Sequence, residues 1–218
     1  MGRARRTTLP ANTKLGVLKS FDELKPLLAE ADTRGRQWAY EQARATTLPY
    51  QLPTDAEIFE LHRVMFEPIF EWAGKPRRMD VGPGGICNVP WPEVRPEVSK
   101  LCKDMGVWLS EAIWTGSTLG KIAALIADAH HRFQWVHPFE DTNGRTGRVL
   151  DHFILWKAFG VIGPDVQASL TLSHFPDQSA EDEYYGGLTE ADSYRPERLR
   201  SYYEGRIEAA SRERQRET

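Results

Sequence analysis

The segment His137-Pro138-Phe139-Glu140-Asp141-Thr142-Asn143-Gly144-Arg145-Thr146-Gly147-Arg148 gathers a titratable base, two carboxylates, an amide, glycines and two arginines in one short stretch. That inventory can hold a nucleotide's phosphates with a metal ion and activate a hydroxyl beside them. An apolar-periodic segment ends near Val136, and Pro138 cannot continue a helix, so His137 falls at a junction. A neutral imidazole there can accept a proton near pH 7. Glu140 and Asp141 are hard oxygen ligands, suited to Mg2+ that already bridges phosphates. Thr142-Asn143-Gly144 opens the next helix, whose free N–H groups and dipole favour negative charge. Gly144 lets backbone approach a phosphate closely. Arg145 and Arg148 are three apart and share one helix face over the same anion. Singly, each residue has a plainer role: a helix-terminal histidine, an Asn-Gly turn, a solvated arginine face, a breaker at Pro138, a core anchor at Phe139. Together they point to a site.

Helical periodicity dominates the elements that must position this stretch. Phe21 to Ala31 and Arg36 to Ala45 read as two short helices joined near Asp32-Thr33-Arg34-Gly35. Thr54 and Glu57 form a capping box ahead of Ile58, Leu61, Met65, Ile69 and Trp72 at helical spacing. A second stripe is Val98, Leu101, Met105, Trp108 and Ala112. A third, Ile122, Leu125, Ile126, Ala129 and Phe133, leads into His137. Val149, Leu150, Phe153 and Ile154 back the helix that carries both arginines, and two more helices fit Ala180 to Ala191 and Pro196 to Ala210. By contrast, Arg77 to Val81, the turn Gly82-Pro83-Gly84-Gly85 and Ile86 to Val89 read as a β-hairpin, or else as a simple connector.

The central stretch resembles the signature of the Fic (filamentation induced by cAMP) family, His-Pro-Phe-x-Asp/Glu-Gly-Asn-Gly-Arg-x-x-Arg. The match runs through His137, Pro138, Phe139, Asp141, Asn143, Gly144, Arg145 and Arg148, with Thr142 where the family usually has glycine. Leu61-His62-Arg63-Val64-Met65-Phe66 through Trp72-Ala73-Gly74-Lys75-Pro76-Arg77 resembles the family's early helix and its WAGxxR turn. Tyr184-Tyr185 through Leu188, Ala191 and Asp192 resembles its later helix. The arrangement is also similar, less closely, to the Fic proteins called mobile mystery protein B.

The resemblance implies an all-α, mostly helical fold with one small β-hairpin flap at about 77–89. It sets an N-terminal extension over 1–53, a Fic domain over 54–212 and a disordered tail over 213–218. It implies a protein adenylyltransferase that moves AMP from ATP to a Ser, Thr or Tyr hydroxyl of a target protein. In that role His137 is the base and Asp141 holds Mg2+. Thr142, Asn143, Gly144, Arg145, Arg148, Tyr184, Tyr185 and Asp192 line the nucleotide site. The target pairs with the flap. Many family members are silenced by a Ser/Thr-x-x-x-Glu-Gly/Asn helix. The nearest approaches here, Ser201 to Gly205 and Ser179 to Glu183, depart from it, so control by a separate antitoxin protein is the expectation, as in a toxin–antitoxin pair.

Thr142 is the single departure from the signature. The expectation is that it keeps a negative φ, its hydroxyl capping the helix from Asn143 and adding a donor toward phosphate. Were φ positive, a β-branched residue would cost on the order of 1–2 kcal/mol. Alternatives are a catalytically weak nucleotide-binding module, a Fic transferase using another donor such as UTP or CDP-choline, and a metal hydrolase built on His130, His131 and His137. Adjacent His130 and His131 point about 100° apart on a helix, which opposes the last.

Composition narrows the field. The 218 residues carry a formal net charge of −3, which argues against a general nucleic-acid binder. Two cysteines, Cys87 and Cys102, make neither a disulfide framework nor a zinc site. No apolar run reaches the ~20 residues of a membrane span, and a cytoplasmic location is expected.

Overall fold

The structure is a computed structural model that describes residues 21–45, 52–82, 87–115, 118–162 and 175–217. Seven helices appear among them: α1 (Phe21–Ala45), α2 (Asp55–Phe66), α3 (Val94–Trp114, entered through a 3-10 turn at Trp91–Glu93), α4 (Leu119–Val136), α5 (Asn143–Ile162), α6 (Gln178–Ala191) and α7 (Glu197–Glu217). The all-α expectation holds. None of these helices is long and apolar enough to cross a membrane.

The predicted apolar stripes become the core. Ile58, Leu61, Met65 and Ile69 are buried, as are Val98, Leu101 and Met105 from α3. So are Ile122, Ile126, Ala129 and Phe133 from α4 and Val149, Leu150, Phe153 and Ile154 from α5. The capping box starts α2 as expected: Glu57 N–H donates to Thr54 Oγ1 at 3.3 Å and Thr54 N–H donates to Glu57 Oε2 at 2.7 Å. α4 packs on α3, α5 and α7, and α5 also packs on α1. The junction between α4 and α5 therefore lies where several helices converge.

Four expectations are corrected. The first is the break inside α1: a single helix runs from Phe21 to Ala45. Gly35 reads as a terminator in sequence, yet it serves packing. A Cβ there would lie 2.6 Å from Met65 Cγ, so a larger residue would force the buried Met65 side chain to shift where α1 meets α2. Arg34 in the supposed joint bonds the α2 carbonyls instead, its Nη2 donating to Met65 O at 2.7 Å.

The second is the hairpin. Neither 77–82 nor 87–89 is strand. Backbone groups here are satisfied by side chains. Arg77, about 1% exposed, donates to Met79 O and Val89 O, and Asp80 Oδ1 accepts from Trp91 N–H at 2.7 Å. With those partners filled locally, no ladder is needed to satisfy them. The turn residues Pro83 to Ile86 lie outside the described residues.

The third is the tail, where α7 continues to Glu217 in place of the disorder expected over 213–218. Glu208 and Arg212, paired four apart at 2.7 Å, extend that helix on its solvent face. The fourth concerns the backbone of Thr142 and is taken up with the site.

Arg77 also braces the end of α4. Its Nε donates to His137 O at 2.8 Å, its Nη2 to Val136 O at 3.4 Å, and its backbone N–H to Pro138 O at 2.9 Å. Helix ends leave carbonyls without intrahelical partners, and a cation is favoured there. Arg77→Met, which keeps the apolar stem but removes the donors, is therefore expected to lower the unfolding free energy by at least about 3 kcal/mol in urea titration.

Candidate active site

α4 ends at Val136 and α5 begins at Asn143, so the loop 137–142 must turn the chain within very few residues. Both of its ends adopt left-handed backbone. His137 has φ 50° and Thr142 φ 61°, and neither is glycine. His137 is the C-cap of α4, its N–H donating to Phe133 O at 3.0 Å. The expected junction thus exists, and it presents the imidazole just beyond the helix.

Asn143 closes the loop. Its Oδ1 accepts from Phe139 N–H at 2.9 Å and its Nδ2 donates to Phe139 O at 2.8 Å. The side chain is 2% exposed. Its amide therefore shapes the loop from inside. Phe139 is fully buried as the anchor, its ring stacked on the His62 imidazole at 3.7 Å between centroids. Gly144 keeps space free at the start of α5, since a Cβ there would meet only Arg148 Nη1, at 3.5 Å.

The expected negative φ at Thr142 is not found. The residue sits in the left-handed region, and its hydroxyl does not cap α5. It donates to Asp141 O at 2.6 Å and meets His62 Nε2 at 3.0 Å. The two hydrogen bonds offset the strain that a side chain suffers at positive φ. Thr142 N–H in turn donates to Asp141 Oδ1 at 2.7 Å, which fixes the half-buried Asp141 carboxylate.

The arginines are held in different ways. Arg145 Nη1 donates to Asp32 Oδ2 at 2.7 Å, and Asp32, from α1, is 1% exposed. Half-buried Arg148 lies over the Phe175 ring at 5.4 Å and bonds the Tyr184 hydroxyl. Burial works against its charge, yet Tyr184, Tyr185 and Asp32 hold its pKa above the ordinary arginine value. Behind Tyr184 lies a buried relay. The Tyr184 hydroxyl donates to His130 Nε2 at 2.6 Å, His130 Nδ1 donates to Asp151, and the Tyr203 hydroxyl donates to Asp151 Oδ2 at 2.7 Å.

Tyr184 and Tyr185 therefore sit beside Arg148. Asp192 does not join them. It caps α6 and pairs with His131 Nε2 at 3.0 Å, eight residues or about 12 Å along the helix from Tyr184. His130 and His131 take different partners and do not converge with His137 on a metal.

Neither acidic residue from the two inhibitory-motif approaches reaches the arginines. Glu183 pairs with Arg198. Glu204 faces Gly120 at the start of α4, 17 residues or about 25 Å of helix from His137. Asp32 is the acid that does reach them, and no motif marks it in the sequence. His62 and the relay behind Tyr184 were likewise outside the predicted site. The signal for His62 was present, a histidine one turn before Phe66 in the stretch that precedes Gly74.

Similarity to known proteins agrees with this geometry. Residues 53–155 match the model of the Fic/DOC family. No curated protein matches the sequence. Among solved structures, the chain is similar to the N-terminal Fic domain of a VirB-translocated Bep effector protein from Bartonella quintana, at 18% identity and TM-score 0.62, covering 93% of this chain and 90% of that one. It is similar to BepC from Bartonella tribocorum with bound AMPPNP, at 21% identity and TM-score 0.61, over 93% and 94%. It is also similar to a Fic-domain signaling protein from Bacteroides thetaiotaomicron, at 18% identity and TM-score 0.63, over 84% and 70%.

His62 supplies a pH test of the site's packing. Burial pushes its imidazole down to about 3, opposed only in part by the nearby Asp141 carbonyl. The unfolded chain takes up this proton near pH 6.5 while the folded chain refuses it until about 3. Its contribution to stability is thus complete above pH 6.5 and declines as pH falls toward 3, by up to about 1.4 kcal/mol per unit. Urea unfolding at pH 7, 6, 5 and 4 should show a steeper fall for the native chain than for His62→Phe.

Proposed function

We propose that this chain, which carries a Fic/DOC-family domain over residues 53–155, is a protein adenylyltransferase that moves AMP from ATP to a Ser, Thr or Tyr hydroxyl. The observation that carries this reading is the closed loop 137–142. It sets His137 at one end, and at the other the α5 N-terminus with Gly144, Arg145 and Arg148. A fixed base and an anion cradle on opposite sides of one short loop suit transfer of a phosphoryl-type group, which depends mainly on positioning and charge stabilisation. The bound AMPPNP of BepC from Bartonella tribocorum and the bound ADP of a Bep Fic domain from Bartonella quintana support a nucleotide as the ligand.

In this reading the His137 imidazole removes the proton of the acceptor hydroxyl. The oxygen forms a bond to the α-phosphorus, the bond from that phosphorus to the bridging oxygen of the β-phosphate breaks, and pyrophosphate leaves. The α5 N–H groups and Arg148 hold the phosphate oxygens. Arg145 joins them once its link to Asp32 opens. Asp141 fits a single-carboxylate Mg2+ site: its carboxylate is half-buried, turned by Thr142 N–H, and Mg2+ commonly takes only one or two carboxylates beside substrate phosphates. Bound there, Mg2+ would neutralise phosphate charge. Tyr185 borders the nucleotide beside Tyr184. The acceptor segment of the target docks along 77–89, within which Arg77 holds the carbonyls of Met79 and Val89. A separate inhibitory protein remains part of this reading, since Glu183 and Glu204 face elsewhere.

His137→Ala is expected to reduce transfer of labelled AMP by ~10²-fold or more with little change in nucleotide affinity by calorimetry. Undiminished transfer would remove the base assignment. A donor screen with ATP, UTP and CDP-choline and mass spectrometry of modified proteins distinguishes AMP transfer from the other donors and from a silent binding module.

Asp32→Asn tests the arginine cradle. Phosphate must compete with the Asp32 carboxylate for Arg145, so removing that charge is expected to tighten ATP binding about tenfold. Weaker binding in the variant would mean that Asp32 orients Arg145 for phosphate.

A further inference from the structure

We propose that His62 is the positioning residue of the anion loop, acting through the Thr142 hydroxyl to hold the left-handed turn that fixes Asp141. This assignment rests on the transferase reading for its consequence in catalysis, though not for its geometry.

The geometry determines the direction of every hydrogen bond in the chain. Gly74 N–H donates to His62 Nδ1 at 2.8 Å. A neutral imidazole that accepts at Nδ1 carries its proton on Nε2. Nε2–H must therefore donate to Thr142 Oγ1, 3.0 Å away. The Thr142 hydroxyl then spends its own proton on Asp141 O at 2.6 Å. Nothing in this series is reversible without losing a partner. The ring is fully buried and clamped between Phe139, at 3.7 Å, and Trp72, at 5.6 Å between centroids, so its Nε2–H stays aimed at the Thr142 hydroxyl and the Asp141 carbonyl beside it. Gly74 is fixed as well: it has φ 74°, and a Cβ would lie 2.7 Å from Arg63 Cβ.

The consequence falls on Asp141. Thr142 has φ 61°, and in that conformation its hydroxyl bonds Asp141 O, which holds the peptide whose N–H donates to Asp141 Oδ1 at 2.7 Å. Glycine can take such a φ unaided. A β-branched residue must be held there, and the His62 bond supplies the hold. The side chain that would disfavour the turn thus carries the group that secures it.

Two sets of variants test this, read as initial transfer rate and as affinity for ATP with Mg2+. Thr142→Val has the same branching but no hydroxyl, and should lose about tenfold. Thr142→Ser, which restores the hydroxyl, should recover most of that loss. If Thr142 merely filled space, Val would retain the rate and Ser would not. In the second set, His62→Phe keeps a ring against Phe139 but removes the donor. It should cost about tenfold with Thr142 present and less than twofold when measured against Thr142→Gly. Equal costs in both backgrounds would reduce His62 to a core residue and overturn the proposal. Loss of the Gly74 acceptor is common to both backgrounds and cancels. Imidazole nitrogen NMR gives an independent reading: the Nε2–H tautomer is expected, and the Nδ1–H tautomer overturns the proposal. If the native chain transfers no nucleotide at all, the transferase reading fails, while affinity and NMR still decide the role of His62.

Discussion

The site depends on one constraint: the chain must leave α4 and enter α5 within 137–142 while the two helix ends are treated oppositely. The α4 carbonyls need donors and obtain them from Arg77, on Val136 and His137. The first N–H groups of α5 have no intrahelical acceptor, and in the proposed function they hold phosphate. Asn143 makes this possible by closing onto both backbone groups of Phe139. Had its side chain turned outward, the loop would lack its inner brace. The loop is thus braced from both sides, with His137 at one end and the start of α5 at the other.

Rigidity at the arginines comes from two kinds of partner, and they differ in what they permit. Arg148 is held by a neutral hydroxyl, and behind Tyr184 the relay through His130 and Asp151 to Tyr203 leaves the phenol no freedom to leave. A neutral partner orients the guanidinium without competing for its charge. Arg145 is held by the Asp32 carboxylate, which does compete. A phosphate can add to the first contact but must replace the second. In the proposed function α1 therefore enters the energetics of nucleotide binding, although it lies outside the segment that matches the family.

Much of this was legible in the residues. Periodicity located α2 to α7 because each helix turns an apolar stripe to one core. The motif located the loop because its residue types have few other reasons to coincide. What periodicity could not reveal was the role of single residues whose partners are distant in the chain. Gly35 looked like a terminator because composition does not record that Met65 lies 2.6 Å from its absent Cβ. Residues 77–89 read as a hairpin, but strand formation depends on where backbone groups find partners, and among the described residues Arg77 provides them to Met79 and Val89. Asp32 and Arg145 are 113 residues apart, so no local pattern links them.

Thr142 shows how such a distant partner reverses a local argument. From the residue alone, negative φ was the economical choice, since left-handed backbone costs a β-branched residue on the order of 1–2 kcal/mol. The cost belongs to the residue, but the compensation belongs to the fold. His62 and the Asp141 carbonyl each bond the Thr142 hydroxyl, and a hydrogen bond contributes roughly 0.5–1.5 kcal/mol. Two of them match the strain. His137, at φ 50°, is balanced similarly by Arg77 on its carbonyl. Both strained residues flank the loop, and each is held by a side chain from the stretch 62–77. That stretch therefore acts as the mould for the loop, and changes in it should alter the backbone geometry at His137 and Asp141 without replacing either residue.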